Sequence, residues 1–184
     1  NSLDRIEQRL IGQDAKLDAL ADSQAALKTR LRIVEIKSSL LGSLSANGAT
    51  CQGNSAGFNI ANWTPSFVGN AEVFATISTK GNNDDEVALF IMGKDTGSIA
   101  TVDGYNLVFE VESGTDSWRI QRIDNAVSTG LTNGTSEFSN GDVFGLRLFN
   151  GVLSAYKNGV LLGSASDTTY TGTGKIGLTI ENTV

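Results

Sequence analysis

The stretch that decides the fold runs from Val143 to Ala165 and reads VFGLRLF-NG-VLSAYK-NG-VLLGSA. Two Asn-Gly pairs, at 150–151 and 158–159, separate three short segments rich in alternating apolar residues. Asn-Gly supplies two consecutive residues that adopt positive φ at little cost, and a type I′ hairpin turn requires both. The stretch therefore predicts three antiparallel strands joined by two tight turns.

Similar segments lie on both sides of this meander. Each alternates in hydrophobicity and ends at Gly, Asn or Asp, which is typical of short strands between turns. They predict strands at 72–78, 86–92, 105–112, 118–123 and 175–181. Because no helical periodicity interrupts the series, this part of the chain is expected to form an all-β sandwich or jelly roll.

Charge and composition exclude several classes of function. Residues 1–41 carry a net charge of +1 and residues 42–184 a net charge of −7, so the acidic part repels phosphate backbones and anionic headgroups. We expect no nucleic-acid partner. No apolar run is long enough to cross a bilayer, so we expect no membrane insertion. The chain has no His and one Cys, which excludes Ser-His and Cys-His nucleophile pairs and an intrachain disulfide.

Residues 1–41 carry a heptad repeat that predicts a coiled coil. With Leu3 at position a, nine of the twelve a and d positions are apolar. Leu at a with Ile or Val at some d positions favours more than two strands, and the segment 30–35 (RLRIVE) resembles the trimerisation motif of many trimeric coiled coils. We expect a parallel homotrimer held by Leu10, Leu17, Leu20, Leu27, Arg30, Leu31, Val34 and Glu35. The alternative is a monomeric amphipathic helix packed on the following domain.

The sequence thus divides into three parts. We predict a coiled-coil trimerisation stalk at 1–41, a connector and first packed segment at 42–70, and a β-sandwich head at 71–184. The middle part is rich in Ser, Gly, Asn and Ala, which is typical of a connecting segment.

Two segments of the head resemble a known fold family. Residues 156–164 (YKNGVLLGS), followed by 175–178 (KIGL), resemble the closing strands of concanavalin A-like jelly rolls, which include lectins, laminin G-like domains and family 16-type glucanases. The resemblance implies a jelly-roll head. A trimeric stalk leading into such a head resembles the distal part of a phage tail fibre or related receptor-binding protein.

Aromatic and polar residues near the middle of the head are candidates for glycan binding. Sugar recognition needs an aromatic face together with planar polar groups that bind hydroxyls. Trp118, Arg119, Tyr105 and Asp116 offer that combination. The alternatives are that Trp118 belongs to the core and that Arg119 lies on the surface or at a trimer contact.

The sequence gives little support for catalysis. Glu110 and Glu112 lie two residues apart on a predicted strand, as a pair of catalytic carboxylates would. The Glu-x-Asp-x-x-Glu pattern of family 16-type glucanases is missing, so a solvated strand face is the simpler interpretation. The glycine-rich segment 172–177 precedes a strand and not a helix, which favours a turn over a nucleotide site. We expect no enzymatic activity.

An acidic loop at 82–86 concentrates oxygen ligands between two predicted strands. Calcium binds six to eight oxygens, and Asp84 and Asp85 are the candidate ligands if a metal binds. An acidic turn without metal is the alternative. We expect no cofactor, calcium being the one ion that the sequence leaves open.

Taken together, the sequence predicts a non-enzymatic trimeric attachment protein of a virion, at the distal end of a fibre, whose heads bind a host cell-surface polysaccharide. Three linked sites would raise apparent affinity by avidity. The alternatives are a structural capsid or tail decoration, a polysaccharide depolymerase and a bacterial trimeric adhesin.

Overall fold

The computed structural model describes residues 39–41, 44–47, 50–53, 57–62, 66–82, 84–94 and 102–182. These residues form strands joined by turns and short loops. The strands are β1 (Ser39–Leu41), β2 (Leu44–Asn47), β3 (Thr50–Gly53), β4 (Gly57–Asn62), β5 (Phe67–Val68), β6 (Ala71–Thr76), β7 (Glu86–Lys94), β8 (Asp103–Glu110), β9 (Ser117–Asp124), β10 (Val127–Thr135), β11 (Val143–Phe149), β12 (Val152–Lys157), β13 (Val160–Ser166) and β14 (Thr173–Asn182). The part of the chain that the structure describes contains no helix long and apolar enough to span a bilayer.

Two antiparallel sheets make up the domain. The large sheet has the strand order β1-β4-β14-β7-β8-β9-β10, with β5 paired to one end of β14, and the small sheet has the order β13-β12-β11-β6. β2 and β3 form a separate two-stranded ribbon. β14 lies between β4 and β7, so a late strand joins two early ones. The sequence-based prediction of an all-β sandwich is confirmed.

The two Asn-Gly turns have the predicted geometry. Asn150 and Gly151 have φ of 50° and 77°, and Asn158 and Gly159 have φ of 51° and 79°. Each pair joins strands in direct antiparallel register, β11 to β12 and β12 to β13. Positive φ at both central residues defines the type I′ turn, whose twist matches that of the strands.

The hydrophobic core lies between the two sheets. Because strand side chains alternate between faces, each strand contributes every second residue to this core. Phe109 of β8 stacks on Phe144 of β11 with ring centroids 3.8 Å apart, and Phe138 contacts both rings edge-on. The core comprises Val73, Leu89, Ile91, Met92, Tyr105, Leu107, Phe109, Trp118, Ile120, Phe138, Phe144, Leu146, Leu148, Leu153, Ala155 and Ile176.

All eight predicted strands of the head form, with ends shifted by at most a few residues. β10 was not among them. Its sequence, VSTGLTNGT, is mostly polar, and its side chains are largely exposed because it is the terminal strand in the order of the large sheet. The glycine-rich segment 172–177 opens β14, as expected for a turn that leads into a strand.

The predicted stalk lies outside the described residues up to position 38, and with it all eight candidate trimerisation residues. The final three residues of the predicted stalk differ from expectation. Ser39–Leu41 form β1, which pairs with β4 in the large sheet. Because β1 and β4 both belong to the large sheet, the β-domain begins before residue 71, where the sequence placed its boundary.

Candidate functional site

The outward face of the large sheet, which points away from the small sheet, carries a row of three carboxylates. Glu181 of β14 lies opposite Glu86 of β7, and Glu86 lies opposite Glu110 of β8. Directly opposed residues on antiparallel strands have Cβ atoms about 5 Å apart. Strand pairing therefore assembles three acidic groups that are far apart in the sequence.

Arg119 of β9 binds two of these carboxylates. Its Nη1 lies 2.5 Å from Oε2 of Glu110, and its Nη2 donates to Oε1 of Glu86. The three side chains are each about a quarter exposed or less. Hydrogen bonds between ionised partners are about twice as strong as neutral ones, so one guanidinium holds both glutamates in fixed positions.

Glu181 completes this cluster and has unusual acid–base behaviour. Burial raises the pKa of Glu181, and the negative charges of Glu86 and Glu110 raise it further, with Arg119 opposing them. The pKa of Glu181 therefore lies above the usual value for a glutamate.

A row of amides runs across the same face. Asn62, Gly177, Phe90, Asn106 and Gln121 lie opposite one another on five neighbouring strands. A Cβ at Gly177 would lie 2.3 Å from the ring of Phe90, so the ring occupies the space above this glycine. The ring of Phe90 thus separates Asn62 from the adjacent amides Asn106 and Gln121.

The side-chain oxygen of Asn106 is buried and accepts no hydrogen bond. Leaving a buried acceptor without a donor costs free energy, on the order of 1–3 kcal/mol. Its neighbours across the sheet are the ring of Phe90 and the amide of Gln121. The oxygen itself is inaccessible to solvent, and Phe90 and Asn62 in the same row are each 5% exposed, so this part of the face is buried.

The structure separates the four residues predicted to bind a glycan. Only Arg119 lies on the outward face of the large sheet. Trp118 is 4% exposed and belongs to the core between the sheets, as the alternative interpretation expected. Positions 134 and 163 are glycines, and a Cβ at either would lie within 3 Å of the indole. A ring enclosed in this way offers no face to a sugar.

Tyr105, also predicted to bind ligand, is fully buried and anchors the loop between β13 and β14. Its hydroxyl donates to Asp167 Oδ1 at 2.7 Å and accepts from the Tyr170 N–H at 2.9 Å. Burial and the bond to Asp167 raise the pKa of Tyr105 to about 12. Arg122 Nη1 binds the other oxygen of Asp167 at 2.9 Å, which completes a structural network.

Asp116, the fourth candidate, lies in the loop between β8 and β9 and is fully buried. Its carboxylate accepts hydrogen bonds from Lys80 Nζ at 2.6 Å and from the N–H groups of Phe138 and Glu112. Glu112 lies beyond the end of β8 and does not share a strand face with Glu110, contrary to the predicted pairing. Glu110 instead binds Arg119 and lies opposite Glu86 on the neighbouring strand.

The candidate metal ligands lie in a turn that hydrogen-bonds to Val111. Asp84 is exposed with φ of 67°, and its N–H donates to the carbonyl of Val111. The carboxylate of Asp85 accepts from the Asn82 N–H at 2.7 Å. Within the described ranges, no group of three or more His, Cys, Asp or Glu side chains is arranged to hold a metal ion.

Sequence reasoning identified Arg119 but missed its pairing with Glu86 and Glu110, and it also missed Glu181 and the amides Asn106 and Gln121. Strand alternation places each of them on one face of its own strand. The register between β14, β7, β8 and β9 decides which of them meet, and a single sequence does not encode that register visibly.

No protein-family model matches the sequence, and no curated protein sequence matches it. Solved structures do share the fold. The carbohydrate binding module CBM66 from Bacillus subtilis superposes with a TM-score of 0.62 at 15% identity, covering 79% of this chain and 92% of that one. The legume lectin-like domain from Entamoeba histolytica gives 0.55 at 11%, covering 79% and 82%. A β-1,3-1,4-glucanase (lichenase) from a mouse hindgut metagenome gives 0.52 at 12%, covering 80% and 66%. The described domain shares with them an all-β two-sheet sandwich fold, which resembles that of concanavalin A-like lectins.

Proposed function

We propose that this chain is the receptor-binding part of a trimeric phage fibre and that its sandwich heads recognise a host cell-surface glycan. The observation that carries the glycan proposal is the unpartnered oxygen of Asn106, set among amides on the outward face of the large sheet. The likeness of the fold to a carbohydrate binding module and a lectin-like domain supports the same ligand class.

The chemistry of this face suits a sugar. A sugar hydroxyl donates to Asn106 Oδ1 once this buried part of the face has opened, and the amide of Gln121 both donates and accepts. Arg119 lies in the next row of this face, beside the apolar Val108, and Glu86 and Glu110 lie one row beyond it. The three charged groups hold one another in place, so this polar cluster is pre-organised. Ordered polar groups of this kind favour specific orientation of a polyhydroxylated ligand.

Trimerisation supplies avidity in this proposal. The heptads of residues 1–41 predict a parallel three-stranded stalk, which would present three heads to one surface. Linked sites convert the second and third binding events into intramolecular ones. A distal position on a virion fibre follows from the same reasoning. A fibre that serves only in assembly is the rival, and it predicts no glycan binding.

Glycoside hydrolysis is a second candidate function that one observation favours. Glu181 has a raised pKa beside two further carboxylates, and glycosidases use one protonated and one ionised carboxyl group. Against it, Arg119 engages both Glu86 and Glu110 and stabilises them as structural ion pairs. We therefore propose binding without catalysis. Release of reducing ends from polysaccharide by wild type, abolished in Glu181→Gln, would favour the hydrolase instead.

The deciding experiment compares wild type with Asn106→Leu. The labelled full chain is tested for binding to a panel of bacterial cells, with extracted surface polysaccharide as competitor. Leu has a similar volume and removes the unpartnered acceptor, so we expect at least about tenfold weaker binding with equal or higher thermal stability. Ser113→Ala, at an exposed loop position, is the control. Binding of wild type to no cell and no polysaccharide would contradict the proposal.

A further inference from the structure

The outward face of the small sheet carries a row of its own. Phe74 of β6 lies opposite Gly145 of β11, Gly145 lies opposite Tyr156 of β12, and Tyr156 lies opposite Leu161 of β13. We call these four residues the Phe74 platform. The alternate residues of the same strands belong to the core, so the platform points away from the large sheet.

Gly145 gives the Phe74 ring its position. A Cβ at residue 145 would lie 2.1 Å from Cε1 and 2.3 Å from Cδ1 of Phe74, so the ring fills the space that a side chain would take. The ring therefore lies across β11, toward Tyr156 on the next strand. A glycine at this position brings the ring within one strand spacing, about 5 Å, of the strand that carries Tyr156.

The platform is accessible. Phe74 and Tyr156 are half-buried, Leu161 is 53% exposed, and Val143 beside them is also exposed. An apolar, aromatic surface that remains open to solvent on a folded domain commonly marks a binding site.

Hydrogen-bonding groups border the platform on the adjacent row of the same face. Glu72 lies opposite Arg147, Arg147 lies opposite Ser154, and Ser154 Oγ is 3.0 Å from Ser164 Oγ. Two residues along a strand span about 7 Å, so this polar row lies close beside the aromatic one. The surface is thus apolar in one stripe and rich in hydroxyl, carboxylate and guanidinium groups in the next.

We propose that the Phe74 platform is a second glycan site, at which pyranose rings stack their C–H faces on Phe74 and Tyr156 while Arg147, Glu72 and Ser154 bind hydroxyls. A pyranose has an apolar face and a polar rim, which matches the two adjacent stripes. A protein partner would favour a continuous apolar patch. The inference rests on the proposed ligand class but concerns the opposite face of the sandwich from Asn106.

The test uses the full chain and affinity gels containing purified bacterial capsular polysaccharides, O-antigen polysaccharides or barley β-glucan. Phe74→Leu keeps apolar area and removes the ring, and Gly145→Ala keeps the ring but displaces it. We expect each to weaken retention by about fivefold or more, because ring contacts contribute on the order of 1 kcal/mol. Phe74→Tyr retains a ring and is expected to bind as wild type does. Thermal melts verify that each variant is folded.

The outcomes separate this inference from the proposed function. If Asn106→Leu abolishes retention while Phe74→Leu and Gly145→Ala leave it unchanged, glycan binding holds and the second site is overturned. If wild type is retained by no polysaccharide, both are overturned. If Phe74→Leu is retained as wild type is and Leu161→Asp lowers the sedimentation coefficient of the assembly, the face contacts another copy of the chain, which also overturns the inference.

Discussion

Lys80 Nζ lies 2.6 Å from Oδ2 of Asp116, whose side chain is completely buried. Burial alone raises the pKa of Asp116, but the hydrogen bonds from Lys80, Phe138 and Glu112 outweigh it and lower the pKa below its usual value. The pair joins the loop after β6 to the loop before β9. The carboxylate therefore acts as a fixed acceptor that holds three segments together.

Replacing Asp116 with Ala is expected to lower the free energy of unfolding by about 3 kcal/mol. The change leaves two N–H groups and an ammonium group without their acceptor, and losing one partner of a buried pair is costly. Urea denaturation at pH 7 measures the effect. Glu137→Gln is the matched control, because that carboxylate is 3.8 Å from the same Lys80 and 61% exposed. Equal effects of the two substitutions would contradict the assignment.

Asp167 is expected to account for part of the fall in unfolding free energy at acidic pH. Burial raises its pKa, but hydrogen bonds from Tyr105, Thr169 and Arg122 prevail and lower it to about 2. A carboxyl group with a lowered native pKa stabilises the fold above its unfolded pKa, near 4, and that contribution is lost as pH falls toward 2.

Asp167→Asn therefore makes the stability curve flatter between pH 5 and pH 2, by on the order of 2 kcal/mol. Tyr105→Phe removes one of the hydrogen bonds that lower the pKa and is expected to give a smaller flattening. Chemical denaturation at several pH values provides the curves. If the unfolding free energy of Asp167→Asn fell as steeply with decreasing pH as that of wild type, this role would be excluded.

The space around Trp118 predicts different effects of alanine substitution at two glycines of β10. A Cβ at Gly134 would lie 2.9 Å from Cζ2 and Nε1 of the indole, whereas a Cβ at Gly130 has no atom within 4 Å. Gly134→Ala is expected to cost about 1–3 kcal/mol by overpacking. Gly130→Ala is expected to stay within about 0.5 kcal/mol of wild type. Thermal melts of both variants compare the two positions, and similar melting temperatures would count against the packing argument.

Arg119→Gln removes the cation from the row of Glu86, Glu110 and Glu181. We expect a loss of about 2 kcal/mol in unfolding free energy at pH 7, because charged hydrogen bonds are lost and the carboxylates repel one another. The loss is expected to shrink at pH 4.5, because protonation of Glu181, whose pKa is raised, relieves part of that repulsion. Arg147→Gln, a half-buried arginine that packs on Phe149, is the control and is expected to show little pH dependence. A loss that is equal at both pH values would refute the electrostatic account.

The strands of the head followed from the sequence because their signals are local. Asn150-Gly151 and Asn158-Gly159 specify turn type by themselves, and the segments between them alternate clearly. β10 was missed because an edge strand with few apolar residues lacks that alternation. The predicted all-β class therefore needed no knowledge of distant contacts.

The site was harder to predict because its geometry depends on long-range pairing. Residues 86 and 119 are 33 positions apart, and nothing near either one indicates that Arg119 donates to Glu86. Trp118 is a residue type common at sugar-binding sites, but its indole packs against Gly134 and Gly163 on the inner face of the large sheet. Residue type identified candidates, and strand register decided their roles.

The position of β14 also has a consequence for how the protein is made. This strand follows all the other described strands in the chain but lies between β4 and β7. During translation β4 has no sheet partner on that side until residue 182 has left the ribosome, although β7 to β13 are already available to pair. We expect the nascent head to expose an open strand edge late in synthesis, so that chaperone binding would be concentrated in the last part of its translation.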